Sequence, residues 1–406
     1  MNARRLTLVW IFSGSLLGLA VHAYADTTLN QGLISSSIFR KMRSVQNMIR
    51  GGQYSDAQSQ LGYLQGVTTS SYEAAVVREL YADYYIARGD YANALNALQP
   101  VMQQSILPPN EQHDAELTYG KLLVGNGQYQ QGLDAMRSWM QGAQNPSPDA
   151  LVTLAQAYAQ TGQCRQAIPY VKRAIEAASD PQQDWFQLWI ACQYDIHDYE
   201  GAAEALQATL GKFPDQAQYW QQLGEAYAQS GDNSKALAVY ALMYRQGLIR
   251  QAQDYLSLAT LYMRNGLPFQ SAGVLQEGLQ SGALPATEAN YMLLASAWQS
   301  AGDMEHTVAA LSEAVKVAKG GDAYVAQAQI YASRHEWLSA IDTAKKALAK
   351  GNLKRPGEAW LLQGVAEVQN RQIDDGTAAL REALKYDDSR AQAEAWLRYL
   401  SSRGAG

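Results

Sequence analysis

Along AQYWQQLGEAYAQSGDNSKALAVYALM, residues 217–243, Trp220, Leu223, Gly224 and Tyr227 fall at i, i+3, i+4 and i+7. That spacing predicts a helix with one buried stripe. Ser230-Gly231-Asp232 then breaks the pattern, with Gly231 suited to a left-handed helix end. Ala236, Tyr240 and Met243 give a second stripe, so the segment is expected to be a helix hairpin. The small residues Gly224 and Ala236 let its two helices approach closely, with large side chains filling the space around them. One hairpin cannot bury both of its apolar faces, so it must stack on another.

The same pattern returns along the chain. LYADYYIARGDYANALNAL from Leu80, LTYGKLLVGNGQYQQGLDAM from Leu117, LVTLAQAYAQTGQCRQAIPYV from Leu151 and YLSLATLYMRNGLPFQSAGVL from Tyr255 are copies, with others at Tyr291, Tyr324 and Trp360. Units begin near Ile38, Ala75, His113, Pro148, Gln183, Ala217, Ala252, Glu288, Gly321 and Gly357. The period of roughly 33 to 38 residues lies in the range of helical solenoids, where length no longer counts domains. The order large, Leu, Gly or Ala, Tyr, Gly, Tyr, Ala, aromatic, Ala resembles the tetratricopeptide repeat. The resemblance implies an all-α fold, an α-solenoid wound as a right-handed superhelix of about ten helix hairpins. We expect the array over residues 38–390 and, from AEAWLRYLSS at Ala393, a capping helix and tail over 391–406.

The N-terminus carries an address. Arg4 and Arg5 precede an apolar run, residues 6–21, and Ala23-Tyr24-Ala25 ends it with small residues where a signal peptidase reads them. We expect residues 1–25 to be a signal peptide cleaved before Asp26, followed by a leader over 26–37. An uncleaved anchor is the competing reading, because the run approaches bilayer length. No cysteine lies near the cleavage site, so a lipoprotein is not expected. No other segment is apolar enough to span a bilayer, so no stable membrane span is expected after cleavage, and the bacterial organisation of the signal points to the periplasm.

Charge and chemistry narrow the function. The net charge of −6 and the lack of a Lys/Arg cluster argue against nucleic acid. Five histidines and two cysteines are few for a metal centre. His113, His197, His306 and His335 fall in different repeats, at or near turns, where solvated histidines are the expectation. Gly125-Asn126-Gly127 is an inter-helix turn rather than a phosphate loop. Asp374-Asp375 and Asp387-Asp388 sit at a helix start or terminus, where acids favour the helix dipole. We expect no enzyme activity and no cofactor.

A narrower resemblance lies in NPSPDALVTLAQAYAQTGQ from Asn145, Asp184-Trp185-Phe186-Gln187-Leu188, KALAVYALMYRQGL from Lys235, LATLYMRNGLPFQSAGVLQEGL from Leu258 and KGNLKRPGEAWLLQGVA from Lys350. These are similar to an exported repeat family encoded beside TonB, ExbB and ExbD homologues. The resemblance implies a periplasmic component of a TonB energy-transduction system, with cell-envelope proteins of the TonB/ExbB/ExbD type as partners and iron complexes as the cargo taken up. The alternatives are a scaffold for another envelope machine, such as polysaccharide export or a pilus, and a small-ligand receptor.

Two further expectations follow from a tetratricopeptide stack. Cys164, opening the second helix of one unit, and Cys192, late in the first helix of the next, would run side by side. They form either a disulfide or two buried thiols. First-helix positions outside the stripe would line a concave, protein-binding groove: Gln156, Gln160, Gln187, Gln218, Gln221, Glu225, Gln229, Gln253, Thr260, Arg264, Ser296 and Gln299. Their amides suit an extended backbone, and the set lacks the cluster of basic residues with which chaperone-binding repeats clamp a carboxylate. The bland alternative is that these side chains only solvate a helical face.

Overall fold

The structure is a computed structural model that describes residues 33–403. The expected signal segment, 1–25, and its cleavage site lie outside the described residues. Among those described, the chain forms twenty-one helices and no strand, and no helix is long and apolar enough to cross a membrane.

The chain divides into two compact units at Thr209. In the first, α1 (Ser36–Arg50) pairs with α2 (Tyr54–Val67), α3 (Ser71–Ala87) with α4 (Tyr91–Gln104), α5 (Pro109–Gly125) with α6 (Tyr129–Gly142), and α7 (Pro148–Gln160) with α8 (Cys164–Ala177). There follow α9 (Gln183–Asp195) and α10 (Tyr199–Lys212), within which the division falls. In the second unit α11 (Ala217–Gln229) pairs with α12 (Asn233–Arg245), α13 (Ala252–Arg264) with α14 (Pro268–Gln280), α15 (Glu288–Ser300) with α16 (Met304–Val317), α17 (Asp322–Ser333) with α18 (Trp337–Lys350), and α19 (Pro356–Gln369) with α20 (Ile373–Ala383). The last helix, α21 (Arg390–Arg403), packs on α19 and α20 through Trp396, Leu397 and Leu400. Within each unit the second helix of a hairpin also packs on the first helix of the next, as α8 does on α9 and α12 on α13. Each apolar face is thus covered partly by its own hairpin and partly by the neighbour, which is the physics of a stacked array. The first helix starts at Ser36, ahead of Ile38, because Ile34 and Ile38 both join the core of the first two hairpins.

The small residues sit where the helices touch. A Cβ on Gly224 would lie 2.5 Å from the Tyr240 ring, and one on Gly120 or Gly364 would lie 2.8 Å from Met136 or Leu380. These pairs occupy equivalent places in their repeats, so the Gly-to-large pattern in the sequence is a contact between the two helices of one hairpin. In α7 and α8 the same contact is filled by Ala155 and Val171, both wholly buried.

The turn between the two helices needs a left-handed residue. Gly89 and Gly162, for example, have φ of 73°, which glycine adopts without a Cβ penalty. Three hairpins place another residue there: His197 at φ 58°, His335 at 59° and Arg371 at 65°. Two of the turn histidines in the sequence are therefore backbone-constrained left-handed residues, rather than side chains gathered for chemistry.

One stripe residue is misplaced in the sequence pattern. Trp220 is only half-buried, and its indole Nε1 donates to the Pro214 carbonyl at 3.0 Å, while the adjacent Tyr219 is 2 % exposed and takes the core position. The indole covers the incoming linker, which periodicity within the helix does not report.

Candidate functional site: the first-helix face

The first helices carry two kinds of position. Leu223, Gly224 and Tyr227 of α11 are buried, whereas Gln218, Glu225 and Gln229 are exposed and Gln221 is half-buried. The other expected binding residues follow this rule: Gln160, Gln187, Gln253, Thr260, Arg264, Ser296 and Gln299 are exposed, and Gln156 is half-buried. Gln156, Gln160 and Gln187 belong to the first unit and the rest to the second, so they fall into two sets.

Not all of these side chains are free for a partner. Thr260 donates back to Leu256 O at 2.7 Å, Gln218 Nε2 to Gln216 Oε1 at 3.0 Å and Gln253 Nε2 to Ser257 Oγ at 3.4 Å. Gln221 reaches across to the next first helix, where its amide donates to both Asp254 oxygens at 3.0 and 3.1 Å. Asp254 is a residue that sequence reasoning missed. It is 6 % exposed and helps cap α13, accepting the Gln251 N–H at 3.4 Å. Glu225 lies beside this pair; desolvation, and then the Asp254 charge, hold its carboxyl above the usual range. Beneath them Tyr240 is pushed up to about 12, mainly by burial and then by Glu225. At the α11–α13 joint of the second unit Glu225 is thus the exposed carboxylate, while the Gln221 amide is engaged by the buried Asp254 and Tyr240 of α12 lies buried beneath them.

The first unit differs. Counting from the unit starts, the ninth residue of each repeat is Asp83 in α3, Lys121 in α5 and Gln156 in α7. Asp83 and Lys121 are half-buried, and among the described residues no hydrogen bond or ion pair satisfies either. Burial lifts the Asp83 carboxyl to about 7 against the pull of Arg50, and burial lowers the Lys121 ammonium against the opposing effect of Asp149. The amide-centred sequence reading passed over both. The signal that marks them is the repeat register itself: charged residues stand at the place where Gln156 and Glu225 stand in other repeats.

The remaining candidates resolve into structure. His113 stacks on Trp139 at 5.4 Å and His306 on Trp298 at 4.6 Å, so these two are ring-packed rather than merely solvated. Asp374 and Asp375 lie in the first turn of α20. Asp387 pairs with Arg390 at 2.6 Å and Asp388 with Arg355 at 3.7 Å. Among the described residues no group of three or more His, Cys, Asp or Glu side chains could hold a metal ion. Cys164 and Cys192 are both buried free thiols on the packed helices α8 and α9, and interaction with Cys164, then burial, push the Cys192 thiol up.

Comparison with known proteins agrees with the hairpins. Family models described as tetratricopeptide repeat match residues 148–181 and 193–248. No curated protein matches the chain. Among solved structures, a tetratricopeptide repeat protein from Parabacteroides merdae is 13 % identical over 60 % of this chain and 93 % of its own, with a TM-score of 0.35. MamA is 22 % identical over 42 % of this chain and 97 % of its own, also with a TM-score of 0.35. YrrB, described as a tetratricopeptide repeat protein with an unusual peptide-binding site, is 14 % identical over 48 % of this chain and 100 % of its own, with a TM-score of 0.39. At such scores the fold rests on the hairpins themselves. Matched segments and helix pairing together make this an all-helical chain that carries tetratricopeptide repeats.

Proposed function

We propose that the chain is an exported, periplasmic protein-binding scaffold, an accessory of a TonB/ExbB/ExbD-type system that drives outer-membrane uptake of iron complexes. The observation that carries the binding role is the division of labour on the first helices. Packing occupies one stripe, and side-chain amides and charges on the other face stand where an extended partner segment can hydrogen-bond. A long array offers many weak contacts and can hold two partners at once, which is scaffolding by effective concentration. The TonB assignment rests on the resemblance of the segments quoted from Asn145 to Lys350, and the location on the N-terminal signal pattern.

The test is crosslinking in living cells with photoreactive residues at Gln156 and Gln253, followed by identification of the captured proteins. Capture of TonB, ExbB, ExbD or an outer-membrane receptor is expected, together with poor growth of a deletion strain on iron complexes. Normal uptake of every TonB-dependent substrate in that strain would end the TonB assignment; absence of any protein adduct at either face would end the binding role.

A further inference from the structure

The repeat register makes the cysteine pair a built contact. The residue that opens the second helix of one repeat packs against the later part of the first helix of the next. Tyr54, opening α2, meets Tyr84 of α3 edge-on at 6.2 Å. Tyr91, opening α4, packs with the cluster that holds Leu122 of α5. Cys164 opens α8 and has the repeat place of Tyr54 and Tyr91; Cys192 in α9 has the place of Tyr84 and Leu122. Both cysteines are buried, at 7 % and 1 % exposed, on helices that pack directly against one another. Elsewhere in the first unit a tyrosine opens the second helix, Tyr54, Tyr91 or Tyr129, and the facing place holds Tyr84, Leu122 or Ala157. Here both places hold a cysteine, and the sequence has no other cysteine with which either could mispair.

We propose that Cys164 and Cys192 are a covalent modification site, joined by a disulfide that staples one repeat to the next when the chain meets an oxidant of the disulfide class. One cysteine loses its proton and attacks a sulfur of the oxidant, whose other half leaves as a thiol, giving a mixed disulfide. The second cysteine then loses its proton and displaces the remaining half. Two protein thiols have become one S–S bond, and two electrons and two protons have reduced the oxidant to two thiols. Interaction with Cys164, and after it burial, pushes the Cys192 thiol up, so little thiolate exists in the folded protein. Exchange is therefore slow once α8 and α9 have closed. The bond forms as the chain folds, and afterwards it resists soluble reductants. The closed loop, residues 165–191, contains nearly all of α8 and most of α9, so the link prevents these neighbours from separating locally.

The full chain, refolded from denaturant in a buffer of oxidised and reduced glutathione, tests this by alkylation in denaturant and mass measurement. We expect a chain lighter by two hydrogens that carries no alkyl group until a reductant is added under denaturing conditions. Alkylation of both cysteines, or glutathione left on either, overturns the disulfide. Hydrogen exchange on the oxidised and reduced wild-type chains tests the staple without a variant that could misfold. Amides of α8 and α9 should exchange at least about tenfold more slowly in the oxidised chain. Equal rates in the two forms overturn the stapling role.

Discussion

Gln221 and Asp254 stand on successive first helices, and the amide of one donates to both carboxylate oxygens of the other at 3.0 and 3.1 Å. Gln221 thereby belongs to the joint between two repeats as well as to their outer face. Replacing it with Ala leaves a nearly buried carboxylate short of its side-chain donor, a loss of about 1.5 to 3 kcal/mol for a bond to a charged group. Faster hydrogen exchange at the start of α13 in Gln221→Ala is the expected readout, while Gln253→Ala, whose bond is exposed, leaves that region unchanged.

Gly224 and Tyr240 make the same contact as Ala155 and Val171. Gly224→Ala drives a methyl group into the Tyr240 ring and should cost about 1 to 3 kcal/mol by overpacking. Tyr240→Val leaves a void and also destabilises. The double variant transplants the α7–α8 pair, so its loss should fall short of the sum of the two singles by at least about 1 kcal/mol. Denaturant unfolding of the four chains measures this, and strict additivity would show that the two residues do not touch.

Arg371 holds a left-handed turn conformation at φ 65° that its Cβ resists. Arg371→Gly removes about 1 to 2 kcal/mol of strain and returns part of it as glycine's greater freedom when unfolded. The expected net gain is about 0.5 to 1 kcal/mol, visible as a rise in melting temperature. His335→Gly should gain less, because the imidazole packs edge-on against Trp337 at 5.1 Å and that contact is lost.

Asp83 should titrate near neutrality. Its folded carboxyl is lifted to about 7, whereas in the unfolded chain it returns to the ordinary carboxylate range near 4. Between those values the folded state holds more protons, so stability falls as pH rises through that window and is level above it. Allowing for screening at a half-buried site, the loss is on the order of 1 to 2 kcal/mol. Asp83→Asn should abolish this slope, matching the wild type at pH near 4 and exceeding it at pH near 8. A carboxyl carbon resonance assigned by that variant should show a midpoint near 7, and a midpoint near 4 would show that Asp83 is well solvated.

The hairpins were legible in the sequence because the information lies within one repeat: the stripe spacing, the turn residue, and the small-to-large contact of Gly224 with Tyr240. What escaped lies between segments. Tyr219 rather than Trp220 takes the core because the indole covers the linker at Pro214. Gln221 is engaged because Asp254 arrives from the next repeat, and Asp83 and Lys121 are desolvated by neighbours that no single-helix pattern contains. The expected binding residues lie on exposed or half-buried parts of the first helices, yet the availability of Gln221 depends on a hydrogen bond that only the stack creates.

A stack of hairpins has the same difficulty as an open β-sheet: an uncovered layer offers a bare, adhesive surface. On α19, Trp360, Leu361 and Val365 form that surface, and Trp396, Leu397 and Leu400 of α21 occupy it. The covering helix turns Glu394, Arg398 and Tyr399 outward or partly outward, replacing an apolar layer with a wetter one. It therefore acts as a chain stopper in the polymer sense. While α21 stays docked, the apolar stripe of α19 is not open to a hairpin of a second copy.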